Sequence, residues 1–143
     1  DLFDRYVDRA RKIGRGLGVT AVTLAEFPES RAQKPDERKS EEASVLLNSV
    51  PSGAKLVVLD EHGKSLSSPD FSRKLEGWKD EGVQDVVFAI GGADGHGGEL
   101  IARADLKIAF GAMTWPHQLV RILLSEQIYR ALTIQAGHPY HRE

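Results

Sequence analysis

The chain has 143 residues, 41% of them hydrophobic and 28% charged, with a formal net charge of −2; this is the profile of one folded domain with a workable core, not of a disordered segment. It contains no cysteine, which excludes disulfides, thiolate metal sites and a cysteine nucleophile and agrees with a reducing, cytoplasmic setting. No apolar run approaches the ~20 residues that cross a bilayer, and the slightly acidic total gives no general attraction to nucleic acid, so neither a membrane nor DNA is expected as a partner and RNA would have to be met by a local basic patch.

"DLFDRYVDRARKIGRGLG" opens the chain in mid-helix. Leu2, Tyr6, Val7, Ala10 and Ile13 recur at helical spacing over about residues 1–16, and Gly14, Gly16 and Gly18 close the element. Its other face carries Arg5, Arg9, Arg11, Lys12 and Arg15. A helix already under way at Asp1 suggests that a leading segment, and any targeting signal in it, precedes this residue. "VTAVTLAEF" (19–27) is rich in β-branched residues and predicts a strand. The polar "PESRAQKPDERKS" leads into a helix from Pro35 or Asp36 to Asn48.

"AKLVVLD" (54–60) and "DVVFAI" (85–90) are short continuous apolar runs, the pattern of strands buried on both faces. Between them Ser68-Pro69 starts a helix that presents Phe71, Leu75 and Trp78 on one side and stops at Gly82. After "GGADGHGG" a short helix over Glu99–Ala104 leads into a third strand, "LKIAF" (106–110). The last helix starts around Thr114-Trp115-Pro116, shows a wide apolar stripe from Leu119 to Leu132, and ends at Gly137. Strands alternating with helices predict an α/β domain, 1–143, with a largely parallel sheet flanked by helices. In such sheets ligands bind beyond the carboxyl ends of the strands. That rule selects the loops after Asp60, after Ile90 and after Phe110.

Three segments carry chemistry. "IGGADGHGG" is either a loop whose backbone approaches a ligand or a plain tight turn; it matches neither the dinucleotide fingerprint nor a Walker loop. "WPHQLV" puts His117 one residue inside a helix start, where the dipole favours a neutral imidazole; a surface histidine beside a proline is the plain alternative. The end, "GHPYHRE", crowds His138, Tyr140, His141 and Arg142 into a terminus, and His138, His141 and Glu143 lack the further fixed ligand that a metal site needs.

Taken together, "VVLDEHG", "FAIGGADG" and "MTWPHQLVRILLSEQIYRALTIQAGHPYHRE" resemble the ribosomal RNA large subunit methyltransferase H family, the small single-domain branch of the SPOUT methyltransferases. The resemblance covers nearly the whole chain and is densest from Lys55 to Glu143. Family members normally begin with a further strand, which is expected to precede Asp1. The resemblance implies a C-terminal trefoil knot and S-adenosylmethionine bound there, with contacts falling on Leu59, Gly91, Phe110, Gly111, Ala112, Met113, Thr114 and Trp115. One departure is Ala93-Asp94, where many members have Pro-Glu. It also implies a homodimer that methylates N3 of a pseudouridine in 23S ribosomal RNA of the assembled ribosome. His117, His138 or His141 would assist deprotonation, Tyr140 would stack on or hydrogen-bond a base, and Arg142 would hold an anion. Arg5, Arg9 and Lys12 would meet phosphates. A nucleotide- or NAD-dependent α/β enzyme and a non-catalytic ribosome-binding module are the rival readings.

Overall fold

The computed structural model describes residues 1–19, 22, 31–90 and 97–142, with His141 and Arg142 described by their backbone alone. These residues gather into two compact units, one made of Asp1–Leu24, Leu66–Gly82 and Gln118–Glu143, the other of Ala25–Ser65 and Val83–His117.

The second unit holds the sheet. Strands β1 (Lys55–Lys64), β2 (Val86–Ile90) and β3 (Leu106–Ile108) lie in the order β2-β1-β3, and β1 is parallel to both neighbours. Helices α2 (Pro35–Ser49) and α4 (Gly98–Arg103) cover one face. There Ala43 and Leu100 pack with Leu56, Val58 and Ala89 into a dry cluster. Val57 and Leu59, on the alternate face of β1, are buried as well, which is why "LVVL" reads as an unbroken apolar run. Asp105 ties the opposite end of the sheet: its carboxylate accepts from the Leu56 N–H at 2.8 Å and from the Arg103 guanidinium at 2.9 Å.

β1 runs longer than the strand expected over 54–60. Leu59 already pairs with Ile108, the chain then leaves the ladder through residues 60–63, and Lys64 returns to pair with the same Ile108. Ala109 closes this excursion by donating its N–H to the Lys64 carbonyl at 3.0 Å. The geometry is possible because residue 63 is glycine: a Cβ there would lie 2.7 Å from the Ile108 nitrogen. β3 is shorter than expected, ending at Ile108.

The first unit is helical. α1 (Leu2–Arg15) starts at Asp1, whose side chain accepts from the Asp4 N–H at 2.8 Å. α3 (Ser68–Asp80) starts at Ser67, whose hydroxyl accepts from the Asp70 N–H at 3.1 Å, the expected side-chain cap. α5 (His117–Ala136) enters this unit at Gln118. α3 and α5 pack through buried Ser72, whose hydroxyl donates to the Ala131 carbonyl at 2.8 Å, and through Ser68, whose hydroxyl donates to Gln127 Oε1 at 2.7 Å. Thr133, fully buried, donates to the Arg130 carbonyl at 2.6 Å, and buried Ser125 to the Ile122 carbonyl at 2.8 Å, so the hydroxyls of Ser72, Ser125 and Thr133 are all satisfied. Of the strand expected over 19–27, only Val19 and Val22 fall within the described residues, and neither lies in a strand.

Candidate functional site at the carboxyl edge of the sheet

Register places the strand ends together. Leu59 is opposite Ile90 on one side and Ile108 on the other, so at ordinary strand spacing the ends of β2 and β3 stand roughly 10 Å apart with β1 between them. The loops selected from the sequence therefore spring from one edge. Because β2 and β3 flank β1 and are joined across it, this edge is also a topological switch point, where open α/β sheets bind ligands.

Two of the loops are joined. The Thr114 hydroxyl donates to Glu61 Oε2 at 2.7 Å, tying residues 110–115 to the excursion of β1. Within the loop, Trp115 Nε1 donates to the Phe110 carbonyl at 3.0 Å. Gly111 takes φ +95°, and among the described residues no atom lies within 4 Å of where a Cβ would sit, which leaves its main chain without a side chain in the way. Ala112 and Thr114 are exposed. Met113 is 74% exposed and Trp115 42%, an apolar surface beside bare backbone that suits a flat ring with polar edges. Leu59 turns its side chain into the core at 8% exposure. Gly91, with the rest of the glycine-rich loop through residue 96, lies outside the described residues.

His117 is the first residue of α5 and exposed, one position earlier than expected. The expected basic face of α1 is mixed: Lys12 pairs with Asp8 at 3.0 Å, and the Arg9 guanidinium lies over the Tyr6 ring at 5.7 Å, while Arg5 is exposed.

The end of the chain is held. Gly137 takes φ +72°, and the N–H groups of His138 and Gly137 bond back to the carbonyls of Thr133 (2.9 Å) and Ile134 (3.2 Å), a Schellman motif. A 3₁₀ turn, Pro139–Arg142, follows. From this turn Tyr140 packs back on α5: its ring, tilted by 57° to that of Tyr129, has its centroid 4.6 Å from that of Tyr129 and 5.0 Å from the Arg130 guanidinium. The Tyr140 hydroxyl donates to Glu126 Oε1 at 3.0 Å, and Arg130 donates to the same oxygen at 2.9 Å. Burial, then the hydrogen bonds to Glu126 and Tyr6, push the Tyr140 phenol above its ordinary range, so it is a neutral donor at any physiological pH. His138 is exposed and its Nδ1 accepts from the Tyr140 N–H at 3.1 Å, which occupies that lone pair and leaves the proton of the neutral ring on Nε2. The side chains of His141 and Arg142, and Glu143 entire, lie outside the described residues.

Glu61, Glu126 and Arg130 were not singled out from the sequence. Glu61 lies in the quoted "VVLDEHG", but its partner is 53 residues away. Glu126 and Arg130 carry a weak signal, the i,i+4 spacing of an ion pair on a helix.

Comparison with known proteins shows the family. A family profile described as "Predicted SPOUT methyltransferase" matches residues 1–141. Proteins named ribosomal RNA large subunit methyltransferase H are similar over essentially the whole chain. The one from Nitrobacter hamburgensis is 54% identical over 142 residues, 99% of this chain and 89% of its own length. The one from Methylocella silvestris is 52% identical over 143 residues, 100% of this chain and 89% of its own. For Chelativorans sp. the figures are 51% over 143 residues, 100% and 82%. With a parallel sheet, joined loops at its carboxyl edge and a match to the family along nearly its full length, the chain belongs to the SPOUT methyltransferase family.

Proposed function

We propose that this protein transfers the methyl group of S-adenosylmethionine to N3 of a pseudouridine in 23S ribosomal RNA of the assembled ribosome, acting in the cytoplasm as a homodimer with a knotted C-terminal part. One observation carries the reading: relatives about half identical over 99–100% of the chain share the name ribosomal RNA large subunit methyltransferase H. The loop chemistry supports the cofactor. Bare backbone at Gly111 and exposed Met113 and Trp115 fit an adenosyl group held by main-chain contacts and ring packing. Leu59, Gly91 and residues 110–115 would hold it. Leu119 and Leu123, one turn apart on α5 and both exposed, are apolar surface suited to a second copy.

When bound, the cofactor supplies a methyl group already activated on a sulfonium. The chain's own work is then alignment and proton removal. Holding two reactants in line is worth roughly 7–11 kcal/mol of barrier in well-oriented systems. A neutral imide nitrogen is a poor nucleophile, and a positioned base typically contributes ~10²–10⁴-fold by taking its proton. His117 and His141 are candidates for that base. His138 is less suited through Nδ1, which already accepts from Tyr140. Arg142 would stabilise the imidate or hold a phosphate, and Tyr140 would serve by fixing the turn that carries both.

The test is methyl transfer from labelled S-adenosylmethionine to intact ribosomes lacking the modification, followed by mapping of the labelled nucleotide. Label on N3 of a pseudouridine in 23S RNA is the expected outcome. Label on another base, or none with cofactor demonstrably bound, overturns the reading.

A further inference from the structure

We propose that Glu61 is a positioning residue for the cofactor loop: its carboxylate clasps Thr114 and thereby sets the conformation of residues 110–115. The proposal rests on the reading of that loop as the cofactor's seat, and it adds a residue that does not itself touch the cofactor.

The clasp joins a rigid part to a loose one. On the rigid side, Glu61 stands in the excursion of β1, which is pinned at its base by the Ala109–Lys64 bond at 3.0 Å and by the close approach of Gly63 to the Ile108 backbone. Inside the excursion, Asp60 Oδ1 accepts from the His62 N–H at 3.2 Å. On the loose side, residues 111–115 are all exposed, so packing contributes little to their order. The Trp115–Phe110 bond closes the loop on itself but does not orient it on the sheet. The Thr114 hydroxyl, donating to Glu61 Oε2 at 2.7 Å, does. A short bond to an ionised acceptor is the stronger kind. The other carboxylate oxygen lies 3.5 Å from His62 Nε2, and the Glu61 side chain is 46% exposed. A pair this open adds little to global stability, so what it contributes is local: the placement of the loop backbone that a cofactor would meet.

The experiment compares wild type with Glu61→Ala, Glu61→Gln, Thr114→Val and the Ala/Val double variant. Two quantities are read: amide hydrogen exchange over residues 111–115 in cofactor-free protein, and affinity for S-adenosylhomocysteine by calorimetry. Losing one hydrogen bond to a charged group corresponds to roughly a tenfold effect. Glu61→Ala is expected to speed exchange and weaken binding each by about that factor, with a thermal midpoint close to wild type. Glu61→Gln, whose amide oxygen accepts the same bond, recovers most of both. Thr114→Val matches Glu61→Ala, and the double variant adds nothing beyond either, as partners in one interaction should behave. Exchange and affinity within twofold of wild type in Glu61→Ala, or full additivity in the double variant, overturns the clasp. Wild-type protein that does not bind S-adenosylhomocysteine refutes the cofactor reading, and the proposal falls with it, a result distinguishable because it appears before any substitution.

Discussion

Asp105 and Tyr140 are two acids whose surroundings displace them in opposite directions. Burial alone would raise the Asp105 carboxyl, but the Leu56 N–H, the Arg103 guanidinium and Lys55 outweigh it and hold it below the usual carboxylate range. A depressed folded value means that its contribution is present above about pH 4, the ordinary value, and is lost as pH falls through the folded one. Asp105→Asn should therefore flatten the acid limb of the stability curve and cost about 1 kcal/mol at pH 7, read from urea midpoints between neutral and acid pH. Tyr140 behaves the other way: its folded value is raised, so its contribution is complete below about pH 10 and declines above that. Tyr140→Phe should cost about 1–2 kcal/mol at neutral pH through the lost bond to Glu126. The gap to wild type should narrow as pH climbs past the ordinary tyrosine value, in the same urea assay. From the sequence Tyr140 could be noticed but not placed. Its partner Glu126 lies 14 residues back on α5, and they meet only because Gly137 reverses the chain.

At the scale of elements, the described helices and strands arise where apolar spacing and capping residues ask for them. α2, α3 and α4 fall within one or two residues of their expected limits, since Pro35, Ser68-Pro69 and Gly82 are local signals. The excursion in β1 was not legible. Asp60, Glu61, His62 and Gly63 look like an ordinary polar turn, and the return of Lys64 to Ile108 is a long-range pairing with no local mark. Gly63 is the residue on which it turns. Gly63→Ala would drive a Cβ to 2.7 Å from the Ile108 nitrogen, where backbone must yield. The expected cost is about 1–3 kcal/mol, seen as a lowered thermal midpoint. Weaker S-adenosylhomocysteine binding should accompany it, because the same segment carries Glu61.

For the whole molecule, the proposed meeting with the ribosome makes two demands. The net charge is −2, so attraction to RNA depends on local cations such as those of α1, and these are not equivalent. Arg5→Ala should reduce the salt dependence of ribosome binding by about one unit of slope, measured by filter binding across a salt series. Lys12, already paired with Asp8 at 3.0 Å, should change it less on substitution to Ala. The second demand falls on the chain end. Because Tyr140 packs on Tyr129 and binds Glu126, deleting Pro139–Glu143 should lower the thermal midpoint by a few degrees as well as abolish methyl transfer. The sequence by itself determined the α/β class, the three core strands and the family, because apolar runs, capping residues and short motifs are local in the chain. Only the tertiary structure decided that Glu61 grips Thr114 and that Tyr140 is packed against α5 rather than left free. Both pairings join residues far apart in sequence through one directional bond, and such a bond leaves no periodicity to be read.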